Sequence, residues 1–329
     1  MENTHQPERS VTTMTKSITQ ILTARDSGID SALNFLSDGC LVAFPTETVY
    51  GLGADARNDI AVAKIFEAKG RPRFNPLIIH VASTEAARKI AMFDGTADRL
   101  AAAFWPGPLT LVLPLRKSAG ISPLVSAGLP TVAVRVPAQP LAHKLLNRFN
   151  GPVAAPSANL SGKISPTSAD HVIHGLSGKI AAVLDGGTCD VGLESTIIGF
   201  APDPVLLRPG GLPAEAIETC LGTPLGAAPV SAAPISPGQL ASHYAPDALM
   251  RLNAPKRITG EVLLGFGNVE CDLNLSPSGD MVEAAANLFH HLRALDEQKV
   301  QRIAVSPIPN HGLGRAINDR LQRAAAPRN

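Results

Sequence analysis

The sequence predicts an α/β protein with a large, partly parallel sheet and a second, smaller α/β unit. The chain has 329 residues, about twice the ~150 residues of a usual domain, and 45% are apolar, which is enough for a sizeable core. Short apolar runs alternate with segments of helical periodicity through most of the chain. Near residue 222, an uncharged stretch rich in Pro, Ala, Gly and Ser interrupts this alternation.

Strands and helices alternate in the first unit. The strands are short apolar runs, predicted at 41–46, 77–81, 109–114, 131–136, 153–156, 181–185 and 195–200. The helices repeat apolar residues with helical spacing and are predicted at 29–37, 60–69, from Ser83, and around 98–104, 140–149 and 168–177. Gly39 follows the first helix, and Asn58 or Asp59 can cap the second. The pattern places the elements and leaves the strand order open.

The region after residue 221 divides into a linker and a small domain. Residues 222–237 carry no charge and cannot bury enough apolar surface to fold alone, so an extended linker is predicted over 222–247. A small α/β domain follows at 248–329, with strands at 261–266 and 302–306 and helices at 281–295 and 314–325. A disordered tail at 1–15 and a first domain at 16–221 complete the predicted organisation.

Charge and cysteine usage limit the possible classes of protein. With 29 Lys and Arg against 28 Asp and Glu, the net charge of +1 excludes a globally basic coat for nucleic acid but not a local basic pocket. No apolar run reaches the ~18 residues of a membrane span, and the polar N-terminus has no apolar signal core. The lone thiols of Cys40, Cys189, Cys220 and Cys271 form no C-x-x-C pair, which favours a reducing compartment. A cytoplasmic protein is therefore expected.

A glycine pattern at 51–56 (GLGADA) matches the G-x-G-x-x-A signature of dinucleotide-binding turns. However, a turn rather than a helix is predicted directly after it. The basic residues of 69–73 also occupy the place where an acidic residue would contact the ribose. A nicotinamide oxidoreductase is an alternative that rests on this match alone.

The segment 69–77 (KGRPRFNPL) combines three cations with a stiff backbone. Lys69, Arg71 and Arg73 lie within five residues, and the prolines prevent continuation of a helix. Like charges held together in a rigid loop repel one another, so a bound polyanion is their natural compensation. Phosphate binding is therefore favoured over a solvated surface loop.

Four other features point to a polar pocket. The segment 156–159 (PSAN) ends a predicted strand with small polar residues, which leaves backbone N–H groups open to an anion or serves as a helix cap. The segment 194–196 (EST) places two hydroxyl groups at the entry to another strand. Arg135 and Arg208 each interrupt an apolar segment, and an arginine in a core must find a partner or a ligand.

Taken together, these segments resemble the YrdC family of threonylcarbamoyl-AMP synthases in its long, two-domain form. The resemblance covers about residues 16–215 and continues at 236–238, 243–246 and 312–321. The matching motifs, in order, are PTETVYGLG (45–53), KGRPRFNPL (69–77), PGPLT (106–110), VRVP (134–137), PSANLSG (156–162), ESTI (194–197) and LRPG (207–210).

The resemblance implies a fold and an activity. The fold would be an open, twisted, mixed sheet around a deep, positively lined cavity, with a Rossmann-like C-terminal domain. L-threonine, bicarbonate and ATP would give threonylcarbamoyl-AMP and pyrophosphate. A separate transferase complex would then use the product to modify the adenosine beside the anticodon of certain tRNAs. Mg²⁺ would accompany ATP without protein ligands, because no carboxylate cluster is visible in the sequence.

The resemblance also assigns candidate residues. The threonine site falls on Thr48, His80, Arg135 and Ser195, with the backbone of Ala155. The nucleotide site falls on Arg71, Asn75, Thr131, Ser157, Ser165 and Arg208. Lys69 and Arg71 are the candidate catalytic groups, which would stabilise charge on the departing pyrophosphate.

A linker motif (HYAP, 243–246) would fold back over the site, which makes His243 and Tyr244 candidate ATP contacts. Residues 239–242 (QLAS) depart from the basic, aromatic pattern common before this motif, so a charged contribution from them is not expected. The main alternative function is a non-catalytic module that holds double-stranded RNA or a nucleotide in the same cavity. A steep salt dependence of RNA affinity, without threonine-dependent use of ATP, would favour that alternative.

Overall fold

Two separate β-sheets organise the chain. The structure, a computed structural model, describes residues 18–200, 203–227, 236–238 and 242–327. One sheet has 11 strands and the other has 4. Within the described residues, no helix combines the length and the apolar character that crossing a membrane requires.

The bounds of the elements follow the chain. The strands are β1 Gln20–Leu22, β2 Val42–Phe44, β3 Gly51–Asp55, β4 Ile78–His80, β5 Leu109–Pro114, β6 Thr131–Arg135, β7 Val153–Ala154, β8 Ala182–Leu184, β9 Thr196–Phe200, β10 Pro204–Arg208, β11 Gly226–Ala227, β12 Leu249–Arg251, β13 Val262–Gly265, β14 Leu273–Asn274 and β15 Arg302–Val305. The helices are α1 Asp26–Ser37, α2 Asp59–Lys69, α3 Thr84–Arg88, α4 Gly95–Phe104, α5 Pro123–Ser126, α6 Pro140–Phe149, α7 Ala169–Leu176, α8 Ala214–Leu221, α9 Met281–Glu297 and α10 Leu313–Ala325.

The large sheet is mixed, as the resemblance implies. Its strand order is β1-β8-β2-β3-β7-β4-β6-β5-β9-β10-β11. Strand β4 runs parallel to β6, and β5 runs parallel to β9, whereas β7 is antiparallel to both of its neighbours, β3 and β4. The register places His80 directly beside Arg135 at the carboxyl ends of β4 and β6. The centre of the sheet therefore brings two of the predicted site residues together.

The glycine pattern at 51–56 lies in a strand instead of at a strand-to-helix turn. Gly51–Asp55 forms β3, which is paired on both sides, and α2 begins only at Asp59. A dinucleotide turn requires the helix N-terminus to follow the glycines at once, so the nicotinamide interpretation is wrong.

The cationic loop follows α2 directly. Asn58 caps this helix, because its Oδ1 accepts hydrogen bonds from the backbone N–H groups of Ile60 and Ala61. Gly70 ends the helix in the left-handed conformation, at φ 60°. The chain therefore turns sharply after Lys69, the last helical residue, into the Pro-rich loop.

The smaller sheet is entirely parallel, in the order β12-β15-β13-β14, and α9 and α10 pack beside it. Its apolar core also includes Val49, Ile164 and Leu193 from the larger unit. A Cβ on Gly192 would lie 2.5 Å from the Cα of Ala286 in α9, so the two units approach each other very closely here.

Candidate active site

A cavity lies where the central strands end and the C-terminal unit begins. It has a volume of about 40 Å³, far below the roughly 300–1,000 Å³ of sites that hold a drug-sized ligand. Its wall consists of Thr46, Thr48, Val49, Gly51, Arg71, Ile78, His80, Arg135, Ala155, Pro156, Ser157, Glu194, Ser195, Arg208, Pro237, Gly238, His243 and Tyr244. Most of the residues predicted from the resemblance therefore share one wall.

Arg135 is held firmly at one end of the cavity. Its Nε donates to the carbonyl of Gly107 at 3.2 Å, and its Nη1 donates to Oγ1 of Thr48 at 2.9 Å. Its Nη2 donates to Oε1 of Glu47 at 2.5 Å. Because an arginine has five N–H groups, one donor remains on each terminal nitrogen.

Glu47 is the main residue at this end that the sequence analysis missed. Its second carboxylate oxygen accepts from the backbone N–H of Ala138 at 3.1 Å, so both oxygens are engaged. Only 4% of the Arg135 side chain and 11% of the Glu47 side chain are exposed. Glu47 lies within the PTETVYGLG motif, and the need of a buried arginine for a counter-ion is the signal that could have found it.

His80 lies beside Arg135 and is uncharged at neutral pH. Burial and the neighbouring guanidinium of Arg135 lower the pKa of His80 to about 3. Its ring packs edge-on against Phe44, at a centroid distance of 6.1 Å. His80 can therefore offer a neutral imidazole to a ligand, but not a positive charge.

Two arginines form the other end of the cavity. Arg71 donates from Nε to the carbonyl of Asn75 and from Nη2 to the carbonyl of Pro76, at 3.2 and 2.9 Å. Arg208 donates from Nε and Nη2 to the carbonyl of Ser195, at 3.1 and 2.9 Å. Burial and the charge of Arg208 lower the pKa of Arg71 to about 10, so it remains protonated at neutral pH.

Lys69 lies behind this end and not in the cavity wall. Its Nζ donates to the carbonyl groups of Ser157 and Asn159, each at 2.5 Å. Burial and the nearby charge of Arg71 lower the pKa of Lys69 well below its usual value. Lys69 thus holds the 156–159 segment through two hydrogen bonds. Direct contact between Lys69 and the phosphates stays a prediction.

Three buried basic residues near this end form no direct hydrogen bond or ion pair with a carboxylate of the described residues, although Glu194 acts electrostatically on Arg208. Lys69, Arg71 and Arg208 are 2%, 8% and 5% exposed, and the polar groups that they contact are carbonyls and a hydroxyl. A buried cation without a counter-ion is costly. This end of the cavity therefore favours a bound anion.

Ser195 is part of the cavity wall, and Ser165 is connected to the wall by a hydrogen bond. Oγ of Ser195 lies 2.7 Å from Oγ1 of Thr110, and Nη2 of Arg208 donates to it at 3.2 Å. Ser165 is not in the wall itself, but its Oγ donates a hydrogen bond to Oε1 of Glu194, and Glu194 is part of the wall. Glu194 was not among the candidates, although it precedes Ser195 in the ESTI motif.

Besides Ser165, two predicted nucleotide contacts lie away from the wall, Thr131 and Asn75. Thr131 begins β6, at the end opposite Arg135, and pairs with Pro114. The Asn75 side chain is buried, and neither of its polar atoms has a hydrogen-bond partner among the residues described. Asn75 contributes its carbonyl to Arg71, as described above.

The segment around the HYAP motif closes the cavity. Pro237, Gly238, His243 and Tyr244 are part of the wall, whereas residues 239–241 lie outside the described residues. Tyr244 has φ 61°, a conformation that non-glycine residues rarely adopt, and its ring stacks on Phe289 of α9 at 5.7 Å. Burial lowers the pKa of His243 to about 3, so this histidine is also neutral. In this arrangement the cavity is too small to hold a nucleotide.

The described residues do not form a metal site. No group of three or more His, Cys, Asp or Glu side chains in the described part of the chain is placed to hold an ion. Glu194 in the cavity wall and Glu47, which pairs with Arg135 of the wall, are each bound by an arginine and a further donor. The residues present therefore do not fit a protein-held Mg²⁺.

Comparison with known proteins identifies the family. The sequence profile of the Sua5/YciO/YrdC family, described as "Telomere recombination", matches residues 34–210, which is more than half of the chain. The chain belongs to the Sua5/YciO/YrdC family. A second profile, described as "Threonylcarbamoyl-AMP synthase, C-terminal domain", matches residues 212–326.

Full-length relatives of this family share both units. The threonylcarbamoyl-AMP synthase of Bacillus subtilis is 43% identical, and the match covers 94% of this chain and 96% of that protein. The enzyme of the same name from Pyrococcus abyssi is 44% identical, over 89% of this chain and 93% of that protein. The crystal structure of P. abyssi Sua5 complexed with L-threonine matches with a TM-score of 0.86 and 41% identity, over 94% of this chain and 98% of that chain.

Proposed function

We propose that this protein is a threonylcarbamoyl-AMP synthase, which converts L-threonine, bicarbonate and ATP to threonylcarbamoyl-AMP and pyrophosphate. The names of its full-length relatives and the threonine complex of P. abyssi Sua5 support the proposal. The observation that carries it is the cavity, whose wall combines Arg135, which is paired with Glu47, with the two further buried arginines Arg71 and Arg208.

The Arg135 end suits an amino acid. Its two remaining N–H donors can receive a carboxylate, and Glu47 and Gly107 hold the guanidinium in place. Thr48 and Ser195 offer hydroxyl groups that a hydroxyl-bearing side chain can use. A pure phosphate site would need neither of them.

The end formed by Arg71 and Arg208, with Lys69 behind it, suits a triphosphate. The incoming anion would compensate the buried charges of the two arginines, and this attraction is stronger in a dry site than at the surface. Mg²⁺ would enter with ATP as part of the substrate, because the carboxylates at the cavity are already engaged.

The reaction needs positioning more than covalent catalysis. The threonine amine forms a C–N bond with the carbon of bicarbonate, and water leaves, which gives a carbamate. A carbamate oxygen then forms a bond to the α-phosphorus of ATP, and the bond from that phosphorus to the bridging oxygen breaks. Pyrophosphate departs with the electron pair. Two anions must approach each other, so the cations at the nucleotide end would lower the barrier.

An RNA-binding module fits the arrangement less well. Lys69, Arg71, Arg135 and Arg208 are all buried, whereas a duplex is held by cations that reach its phosphates at the protein surface. The closed cavity is suited to small molecules. The product would be handed to a separate transferase that modifies tRNA.

The test is pyrophosphate release from ATP and Mg²⁺, with L-threonine and bicarbonate omitted in turn. We expect release that requires both, and a loss of about 100-fold or more in kcat for Arg71→Met. Arg257→Met, which removes an exposed arginine paired with Asp272, is the matched control and should retain full activity. Release that needs neither substrate would indicate a simple ATPase and refute the proposal. ATP binding without any release would favour the binding module.

A further inference from the structure

Arg320 connects the C-terminal unit to the cavity. It lies in α10 and is fully buried. Its Nε donates to Oε2 of Glu194 at 2.7 Å, and its Nη1 donates to the carbonyl of Pro209 at 3.0 Å and to Asp319 at 2.6 Å. Nη2 has no hydrogen-bond partner within the described residues. A fully buried arginine needs counter-ions, and Arg320 has two of them, Glu194 and Asp319.

Glu194 connects Arg320 to residues at the nucleotide end of the cavity. Its other oxygen accepts from Oγ of Ser165, and its backbone carbonyl accepts from the N–H of Gly211 at 2.8 Å. The next residue, Ser195, holds the guanidinium of Arg208 through its carbonyl. Burial raises the pKa of Glu194, but the guanidiniums of Arg320 and Arg208 outweigh it and hold the pKa below its usual value. Glu194 is therefore an ionised anchor between two arginines.

Arg320 also supports the closing segment. Its guanidinium lies over the ring of Tyr244, 5.0 Å from the centroid, while Phe289 stacks on this ring at 5.7 Å. Both supporting residues belong to the C-terminal unit. The ring contacts with Phe289 and Arg320 can thus offset the cost of the strained left-handed backbone of Tyr244.

We propose that Arg320 is a positioning residue for ATP, which holds Glu194 and Tyr244 in the arrangement that the nucleotide end requires. The C-terminal unit then completes the active site from the opposite side. This inference rests on the proposed synthase function. It does not extend to Arg135, which Glu47, Gly107 and Thr48 hold without Arg320.

The decisive measurement is whether Arg320→Met changes the KM for ATP while leaving the Kd of L-threonine unchanged. In Arg320→Met we expect the KM for ATP to rise about 10- to 100-fold, because small displacements of binding groups have effects of this size. The Kd of L-threonine, measured by calorimetry without ATP, should stay within about threefold of wild type. Arg315→Met in the same helix removes a half-exposed pair with Glu215 and should change neither value.

Two further variants allow the positioning role to be tested even if Arg320→Met does not fold. Arg320→Lys retains a charge near Glu194 but loses the planar contacts to Pro209 and Tyr244. Its KM for ATP should therefore lie between those of the wild type and Arg320→Met. The pair Glu194→Gln with Arg320→Met removes both members of the buried Arg320–Glu194 ion pair, and Asp319 keeps its pair with Arg323, so the double variant should fold even if the single variant does not.

The outcomes separate this inference from the proposed function. An ATP KM like that of wild type in Arg320→Met, or an equal loss for both substrates in Arg320→Lys, would overturn the positioning role. Wild-type protein without threonine-dependent pyrophosphate release would instead refute the synthase. In that case the Kd of ATP, measured by calorimetry, must still rise in the Arg320 variants for the positioning role to stand.

Discussion

The buried pair of Arg135 and Glu47 gives the sharpest prediction about substrate binding. Arg135→Met removes the two N–H donors that face the proposed threonine carboxylate. Hydrogen bonds to charged groups contribute about 1.5–3 kcal/mol each, so the loss should be roughly 3–6 kcal/mol. Since about 1.4 kcal/mol corresponds to tenfold in affinity, the Kd of L-threonine should rise by ~10²-fold or more.

The same substitution also leaves Glu47 buried without its cation. Breaking a buried ion pair by removing one partner costs about 3–5 kcal/mol of stability, which could by itself impair binding. Glu47→Gln in the same chain removes the unpaired charge, and the amide oxygen can still accept from the N–H of Ala138. The double variant should regain most of the lost stability without regaining threonine affinity.

Calorimetry with L-threonine and urea unfolding of the wild type, both single variants and the double variant form a complete cycle. A double variant that is stable and binds threonine within threefold of wild type would refute the reasoning. In that case, the carboxylate must be held elsewhere in the cavity. A double variant as unstable as Arg135→Met would show that packing, and not charge pairing, dominates at this site.

Three other substitutions test the remaining parts of the site. Lys69→Met should lower kcat for pyrophosphate release by ~10²-fold, because the 156–159 segment loses the hydrogen bonds from Lys69 and the phosphates lose a nearby basic group. An unchanged kcat would contradict this prediction. Gly238→Ala would place a Cβ 2.8 Å from Cδ of Arg208 and should raise the KM for ATP, whereas Gly222→Ala, also at positive φ but in open space, should leave the KM unchanged. Burial lowers the pKa of His80 in the folded protein to about 3, so the unfolded chain binds a proton at this histidine at a higher pH than the folded protein does. The free energy of unfolding should therefore fall as the pH drops from about 6.5 towards 3. In His80→Asn, the slope of unfolding free energy against pH, from urea titrations, should be smaller by up to ~1.4 kcal/mol per pH unit, and an unchanged slope would contradict the burial of a neutral imidazole.

The sequence was sufficient for elements with a strong local signal. Strands such as β5 and helices such as α6 were predicted with the bounds that the structure shows. Their apolar periodicity and their proline or turn boundaries are local features. Strand β3 was missed because GLGAD has no β-branched residue, and only pairing on both sides makes it a strand. The two-residue strand β11 was likewise missed inside the predicted linker.

The site shows a similar division between local and long-range information. Motif resemblance selected Arg135, which the structure places in the cavity wall. It did not select Glu47 or Arg320, because their roles depend on contacts between residues 88 and 126 positions apart. A buried charge reveals its partner only once the chain is folded.

The ion pair of Arg135 and Glu47 has a consequence for how the protein would respond to its surroundings. A cavity that supplies its own counter-anion attracts a free amino acid less strongly than a bare guanidinium would, because part of the attraction is already satisfied within the chain. The engaged guanidinium therefore favours a ligand whose carboxylate meets its remaining N–H donors in the right plane over an anion that is attracted by charge alone.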